Sequence, residues 1–127
     1  MKSIAVVGGI IHRDGKYLLG RRPLDKTQGG CWEFIGGKIE PGETPEQALA
    51  RECLEEIALP IRGQRIRTSV THTYPEKTIH LTLIDCEPEP GAEPQALEHE
   101  EIGWYKPEEM AGLDFCPADR ELLPVLF

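Results

Sequence analysis

The sequence contains no local cysteine motif and comparatively little positive charge. None of its four cysteines belongs to a C-x-x-C pair, so neither a zinc ribbon nor a redox motif is indicated. We therefore expect four reduced thiols in a cytoplasmic protein, two or three of them packed as small hydrophobic side chains. The 14 Lys and Arg residues stand against 22 Asp and Glu residues, a formal net charge of −8. This balance argues against binding of nucleic acid polymers, but carboxylates can still hold small phosphorylated ligands through a divalent cation.

Long apolar runs, linkers and repeats are also absent from the sequence. The apolar run over residues 4–11 is too short to cross a bilayer and lacks an A-x-A-like cleavage site, so it predicts a first strand and no membrane association. No Ser-His-Asp, HExxH or Walker A arrangement is present. We expect the 127 residues to form a single domain, because chains of this length commonly do.

Alternation of apolar segments and turn residues predicts a sheet with helices around it. The predicted strands cover residues 4–11, 16–20, 66–72, 78–85 and 102–105. Asp14-Gly15 between the first two is a strong signal for a hairpin. Strands and helices interleave, which indicates an α/β or α+β protein with a mixed sheet.

The C-terminal third combines an acidic segment with two predicted short helices. Residues 85–101 hold seven acidic residues and no Lys or Arg, and their prolines favour an exposed loop. Short helices are expected after Pro107 and after Pro117. The second should turn three side chains inward, namely Leu122, Leu123 and Leu126.

A well-delimited helix is predicted to begin after residue 44. Thr44 suits the N-cap, Pro45 the first helical position and Gln47 the third position of a capping box. The helix should end near Ala58, because Pro60 blocks its continuation. Its predicted sheet-facing residues are Leu49, Ala50, Cys53, Leu54 and Ile57.

One edge of this helix carries three carboxylates. Glu52, Glu55 and Glu56 fall within a sector of about 100°, and Arg51 lies outside it. The sector is either a solvated acidic face or a metal site. The second interpretation is favoured by its place in the last turns, where the helix dipole disfavours negative charge. Mg²⁺ or Mn²⁺ with oxygen ligands would compensate that charge.

The segment resembles the signature of the Nudix hydrolase family. Gly37, Glu43 and the run Arg51-Glu52-Cys53-Leu54-Glu55-Glu56-Ile57-Ala58-Leu59 follow G-x5-E-x7-R-E-U-x-E-E-x-G-U, where U is a bulky apolar residue. Every charged position matches, whereas Ala58 replaces the family's glycine. If the backbone keeps a positive φ there, alanine costs about 1 kcal/mol. The resemblance implies an α+β fold, the Nudix α/β/α sandwich, with a mixed central sheet and the loop and helix of the signature packed on it.

The resemblance also implies a metal site. Glu52, Glu55 and Glu56 would bind Mg²⁺, with Mn²⁺ as a substitute, and the Gly37 carbonyl would be a further ligand. Either Glu52 or Glu56 would also orient or deprotonate the attacking water. Glu43 and Arg51 would form an ion pair that braces the loop against the helix.

Substrate-binding positions follow from the MutT-like branch of the family. Lys38 and Arg22 match phosphate-contacting positions, with plain surface charge as the alternative. Glu98 matches an additional metal-ligating glutamate, with a solvated loop residue as the alternative. His99 beside it, like the other three histidines, is expected to be structural or exposed rather than catalytic.

Asp119, after Pro117-Ala118, matches a residue that reads the nucleobase edge in MutT-like enzymes. An ionised aspartate accepts hydrogen bonds, which suits the amino group of cytosine, whereas a protonated one could also donate to an oxidised purine. Asp119 could instead be only an N-terminal helix residue. The resemblance thus implies Mg²⁺-dependent hydrolysis of a nucleoside triphosphate to NMP and pyrophosphate, in the cytidine-type or 8-oxo-dGTP branch.

Three other functions remain open at this point. The chain could hydrolyse another nucleoside diphosphate derivative such as ADP-ribose, or it could be a non-catalytic nucleotide-binding Nudix module. It could also be an interaction protein whose acidic helix contacts a basic partner. In the preferred interpretation it is a cytoplasmic enzyme of nucleotide-pool sanitation, hence of DNA repair. Its partner is a small nucleotide, with no membrane or nucleic acid polymer involved, and it is a monomer or homodimer.

Overall fold

The computed structural model describes residues 2–127, which contain six strands and four helices. In chain order these are β1 (Lys2–Arg13), β2 (Lys16–Arg21), β3 (Trp32–Lys38), α1 (Pro45–Ile57), β4 (Ile61–Thr73), β5 (Lys77–Pro88), β6 (Glu101–Tyr105), α2 (Pro107–Met110), α3 (Pro117–Arg120) and α4 (Leu123–Leu126). The strands form one sheet in the order β4-β5-β1-β3-β2-β6. β1 and β5 are parallel and the other neighbours are antiparallel, which confirms the predicted mixed sheet.

The predicted hairpin between β1 and β2 is confirmed. Asp14 and Gly15 both have positive φ, 54° and 76°, the conformation that a two-residue hairpin turn requires. It pairs Arg13 with Lys16 and His12 with Tyr17. The turn therefore sets the register of the first two strands.

The strands β4 and β5 are longer than predicted. β4 lies at the edge of the sheet and begins at Ile61, five residues before the predicted start. The residues that follow Ile61 are polar, and a bulge near Gly63 interrupts the pairing with β5. This part of β4 therefore lacks the apolar alternation that indicates a strand. The expectation of one exposed loop over residues 85–101 is wrong at both ends, because Asp85 and Glu87 belong to β5 and Glu101 to β6.

Helices cover both faces of the sheet, as predicted for the α/β/α sandwich. On one face α1 packs against apolar side chains of β1, β2, β3 and β5. On the other face, residues of α2, α4 and the segment before α3 pack on Trp32 and Phe34. Successive residues of β1 alternate between the layers, since Val7 and Ile11 face α1 whereas Ile10 faces the other side.

The predicted boundaries of α1 are confirmed. The Thr44 hydroxyl accepts from the Gln47 backbone N–H at 3.1 Å, and the Gln47 side chain accepts from the Thr44 N–H at 2.9 Å. At the other end Ala58 is left-handed, with φ 51° and ψ 35°. The Leu59 N–H reaches the Cys53 carbonyl at 3.1 Å, which closes a Schellman-type end. Alanine therefore occupies a position that favours glycine.

The predicted sheet-facing residues of α1 are confirmed in part. Leu49, Cys53 and Ile57 are buried and Ala50 is half-buried, but Leu54 is 54% exposed. The apolar face of the helix is narrower than predicted, because Leu54 lies on the side that turns away from the strands.

The expectation of four reduced thiols is wrong for two of the cysteines. Cys31 and Cys116 form a disulfide across 85 residues, with their Cα atoms 5.1 Å apart. The Trp32 N–H donates to the Asp114 carbonyl and the Cys116 N–H to the Trp32 carbonyl, both at 2.8 Å, and these bonds bring the two segments together. Cys53 and Cys86 are buried thiols, as predicted for packed cysteines.

The C-terminal segment forms three short helices rather than the two predicted. Leu122 and Leu126 are buried, whereas Leu123 is half-buried and packs at the margin of the core. Within residues 2–127 no helix combines the length and the apolar character needed to cross a membrane.

Candidate active site

A cleft of ≈530 Å³ opens at the junction of β1, β3, α1, the segment before β6, and α3. Seven of the eight predicted site residues line it, namely Arg22, Gly37, Lys38, Glu52, Glu56, Glu98 and Asp119. Two residues that the sequence reasoning did not assign to a site, Glu33 and His99, line it as well. The cleft thus brings together predicted site residues that are up to 97 positions apart in the chain, from Arg22 to Asp119.

The loop before α1 is held by Arg51. Its guanidinium donates to both oxygens of Glu43, with Nε to Oε2 at 2.7 Å and Nη2 to Oε1 at 3.0 Å. It also donates to the Lys38 carbonyl at 3.0 Å. Arg51 holds the pKa of Glu43 at about 2, because its hydrogen bond favours the ionised carboxylate. The predicted ion pair is confirmed, and it fixes the backbone next to Gly37.

Glu52 and Glu56 occupy the floor of the cleft. Their side chains are only 15% and 12% exposed. Burial, and then the hydrogen bond and charge of Glu52, raise the pKa of Glu56 far above its usual value. The second oxygen of Glu56, Oε2, is buried and has no hydrogen-bond partner among residues 2–127. Two crowded carboxylates with an unsatisfied oxygen form a site that a cation would stabilise.

The carboxylate of Glu52 occupies the space that a side chain at position 37 would need. A Cβ built on Gly37 would lie 2.6 Å from Glu52 Cδ and 2.7 Å from both carboxylate oxygens. The Glu52 carboxylate therefore lies directly against the β3 backbone. The glycine of the signature is required by this close approach.

Glu55 is the one predicted site residue that does not line the cleft. Its side chain is 57% exposed, and its carboxylate lies 3.2 Å from Arg51 Nη1. Arg51 Nη1 also lies 2.9 Å from Glu52, so the arginine does reach the carboxylate sector, contrary to the prediction. Its long side chain bends back along the helix, and the position of its Cα alone could not show this.

A second acidic group also lines the cleft. The carboxyl groups of Glu33 and Asp119 and the disulfide-bonded Sγ of Cys116 lie within 4.8 Å of one another. Burial of its carboxyl group and the neighbouring Glu33 raise the pKa of Asp119 well above its usual value, although Arg22 opposes the shift. Arg22 Nη1 lies 3.4 Å from Glu33 Oε1. These surroundings favour the protonated form of Asp119, which can both donate and accept a hydrogen bond.

His99 lies between the two acidic groups. Its side chain is 3% exposed, and Nε2 lies 3.3 Å from Glu33 Oε2 and 3.7 Å from Glu56 Oε1. Of the two alternatives expected for it, structural or exposed, the burial of His99 excludes the exposed one. The ring enters the cleft because Gly20 on the neighbouring strand leaves room for it, which is a tertiary effect.

The position of Glu33 in the sequence is itself a signal for a site residue. It stands between Trp32 and Phe34, which face the opposite side of the sheet. An ionisable residue at a central-strand position facing a helix layer needs a partner or a function, and Glu33 finds both Arg22 and His99.

The remaining predicted residues lie at the mouth of the cleft. Lys38 and Glu98 are exposed, and the charge of Glu98 contributes to the raised pKa of Glu56. Two other histidines lie elsewhere: His72 contacts Glu121 at 3.0 Å and His80 contacts Thr71 at 3.1 Å.

Comparison with known proteins places this fold and cleft in a family. Residues 6–124 match the NUDIX domain, and the chain belongs to that family. It is an enzyme of the Nudix hydrolase class, which acts on acid anhydrides, and its substrates are small nucleotides.

Two relatives from Escherichia coli (strain K12) can be aligned with nearly the whole chain. The CTP pyrophosphohydrolase is 42% identical over 123 residues, which are 97% of this chain and 90% of the relative. The 8-oxo-dGTP diphosphatase is 32% identical over 127 residues, 99% of this chain and 98% of the relative. The solution structure of the E. coli ORF135 protein superposes with a TM-score of 0.82 at 40% identity, covering 98% and 88% of the two chains. These likenesses support a nucleotide pyrophosphohydrolase.

Proposed function

We propose that residues 1–127 form one Nudix domain that hydrolyses a nucleoside triphosphate to NMP and pyrophosphate with Mg²⁺, and that Mn²⁺ can substitute. The observation that carries this is one cleft with two differently built ends. At one end Glu52, Glu56 and Glu98 supply the oxygen ligands that a divalent cation requires, and at the other Glu33 and Asp119 supply polar groups for a base edge.

The residues present suit a hard divalent cation. The unpaired Glu56 Oε2 and the Glu52 carboxylate lie together in the floor, and the Gly37 carbonyl belongs to the strand against which Glu52 packs. Glu55 would join them when its carboxylate leaves Arg51 and turns into the cleft. Mg²⁺ bound there would neutralise phosphate charge and lower the pKa of a bound water.

The protein's own groups position the substrate between the two ends. Lys38 and Arg22 both line the cleft, where they would contact phosphate oxygens. Glu52 or Glu56 would orient the attacking water or accept its proton, with attack expected at the β-phosphorus. Glu43 and Arg51 keep the loop rigid, so that the Gly37 carbonyl keeps its direction.

Base preference would be set by Asp119 together with Glu33. The carboxylate oxygens of Glu33 are hydrogen-bond acceptors, which suits an amino group such as that of cytosine. A protonated Asp119 also donates, which suits a ring nitrogen or carbonyl of cytosine or an oxidised purine. We propose cytidine-type or oxidised purine triphosphates as substrates, and thus a role in nucleotide-pool sanitation and DNA repair.

The setting proposed for this enzyme is the cytoplasm, as a monomer or homodimer. The Cys31–Cys116 disulfide and the backbone hydrogen bonds around Trp32 hold the segments before β3 and before α3 together.

The test is pyrophosphate release from CTP, dCTP, 5-methyl-dCTP, dGTP, 8-oxo-dGTP and ADP-ribose, with Mg²⁺ and with EDTA. We expect Mg²⁺-dependent turnover of a triphosphate, and we expect Glu56→Gln or Glu55→Gln to lower kcat on the order of 100-fold or more, since a metal supplies several kcal/mol of charge stabilisation. Glu108→Gln, an exposed change on α2, is the matched control. Turnover unaltered in both site variants would refute the metal site, and ADP-ribose as the best substrate would refute the triphosphatase.

A further inference from the structure

His99 is placed where it contacts both ends of the cleft. Its Nε2 is within hydrogen-bond distance of Glu33 at the base end and 3.7 Å from Glu56 at the metal end. The side chain is 3% exposed. A single buried imidazole nitrogen thus lies between the carboxylates of two subsites.

The ring is held there by the neighbouring strand. A Cβ on Gly20 would lie 2.4 Å from His99 Cδ2 and 2.6 Å from Nε2, so only glycine admits the ring. Gly20 is paired directly with Glu33 across β2 and β3. The next residue after His99 is anchored too, because the Glu100 N–H donates to the Arg21 carbonyl at 2.8 Å.

The contacts also indicate which nitrogen carries the proton. Nδ1 is buried with no partner among residues 2–127, whereas Nε2 faces two carboxylates. Glu33 Oε2 lies 3.3 Å from Nε2, and a bare lone pair there would repel the Glu33 carboxylate, so this contact favours the tautomer with its hydrogen on Nε2. That N–H can be given fully to only one acceptor at a time.

We infer that His99 is a positioning residue that couples the metal end of the cleft to nucleobase recognition. When the Glu56 carboxylate is engaged by a cation, the His99 N–H is given wholly to Glu33 and holds that carboxylate in one orientation toward the base. In turn, the ring packs beside Glu56 and limits the positions its carboxylate can take. This role rests on the proposed function and adds a specificity determinant to it.

The experiment compares three test variants and two control variants of the full chain. His99→Leu fills a similar volume without a donor, whereas the amide of His99→Gln places an N–H near the position of Nε2. Gly20→Ala displaces the ring without altering any polar group. The matched controls are His80→Leu, on an exposed histidine, and Gly112→Ala, where a new Cβ finds its nearest atom at 3.7 Å.

Two quantities are measured beside the thermal midpoint. One is the dissociation constant for Mn²⁺ without nucleotide, and the other is the ratio of kcat/KM between the best and the worst of CTP, dGTP and 8-oxo-dGTP. We expect His99→Leu and Gly20→Ala to weaken Mn²⁺ binding about 10-fold, the usual loss when the partner of a metal ligand is removed. The base ratio should fall about 10-fold as well, the size of one lost hydrogen bond to a charged group. His99→Gln should stay close to the wild type in both.

The outcomes separate this inference from the proposed function. An unchanged Mn²⁺ constant and base ratio in His99→Leu or Gly20→Ala would overturn it, even if the thermal midpoint drops, because a purely structural histidine predicts that result. Failure of a folded His99→Gln to rescue either quantity would overturn it as well. A wild type without triphosphatase turnover would refute the proposed function, and the Mn²⁺ comparison would still decide whether His99 supports the metal end.

Discussion

Ala58 ends α1 in a left-handed conformation, and its replacement by glycine should stabilise the protein. At φ 51° and ψ 35° the alanine Cβ crowds the following carbonyl, a contact that glycine lacks. Relief of that strain is worth about 1–2 kcal/mol, and the greater freedom of glycine in the unfolded chain offsets about 0.4–1 kcal/mol, so Ala58→Gly should gain about 0.5–1 kcal/mol.

The gain should appear as a higher midpoint of urea unfolding at unchanged m, and as a rise of about 2–5 °C in the thermal midpoint. Ala50→Gly is the matched control, because it makes the same change in the helical interior of α1. It should lose about 0.5–1 kcal/mol, since glycine there has only its entropic disadvantage. Equal or lower stability of Ala58→Gly would refute the conclusion that the left-handed end of α1 strains this chain.

Three further measurements test other parts of the structure. Because Arg51 lowers the pKa of Glu43 to about 2 from 4.5, the contribution of Glu43 to stability should be present above pH 4.5 and lost as the pH falls toward 2. Unfolding of wild type and Glu43→Gln at several pH values should therefore converge in acid, and a constant difference would contradict the ion pair. Cys31→Ser should be about 4–5 kcal/mol less stable than the wild type without reductant, which is the chain-entropy value for a loop of 85 residues. Its stability should match that of the wild type treated with dithiothreitol. Equal stability of the variant and the untreated wild type would contradict the disulfide. Asp119→Asn should change the ratio of kcat/KM between bases more than the total turnover, and equal losses on every base would argue against a base-reading role.

The parts of the site whose local structure the sequence predicts lie within the short segment from Gly37 to Leu59. The capping box of Thr44 and Gln47 follows from its own spacing. The ion pair between Glu43 and Arg51 and the left-handed end at Ala58 follow from the resemblance to the Nudix signature, which places the charged pair and a glycine at these positions. Such features depend on backbone geometry that neighbouring residues dictate.

The parts that were missed depend on tertiary contacts. The burial of His99 depends on Gly20, which is 79 residues away and leaves the space for the ring. The disulfide depends on the hydrogen bonds that bring residues 85 apart together. The orientation of Glu55 is decided by where the flexible Arg51 side chain makes its contacts. Spacing along the chain carries no information on any of these.

Arg51 has a consequence for how the protein behaves without a cation. One guanidinium lies within 4.0 Å of the carboxylates of Glu40, Glu43, Glu52 and Glu55, so it relieves much of the repulsion on this edge of α1. The folded state therefore has an internal counter-charge of its own. A chelator should abolish turnover while leaving the circular dichroism spectrum intact, and readdition of Mg²⁺ should restore activity without a refolding step. The supply of metal would then control turnover and leave the fold unchanged.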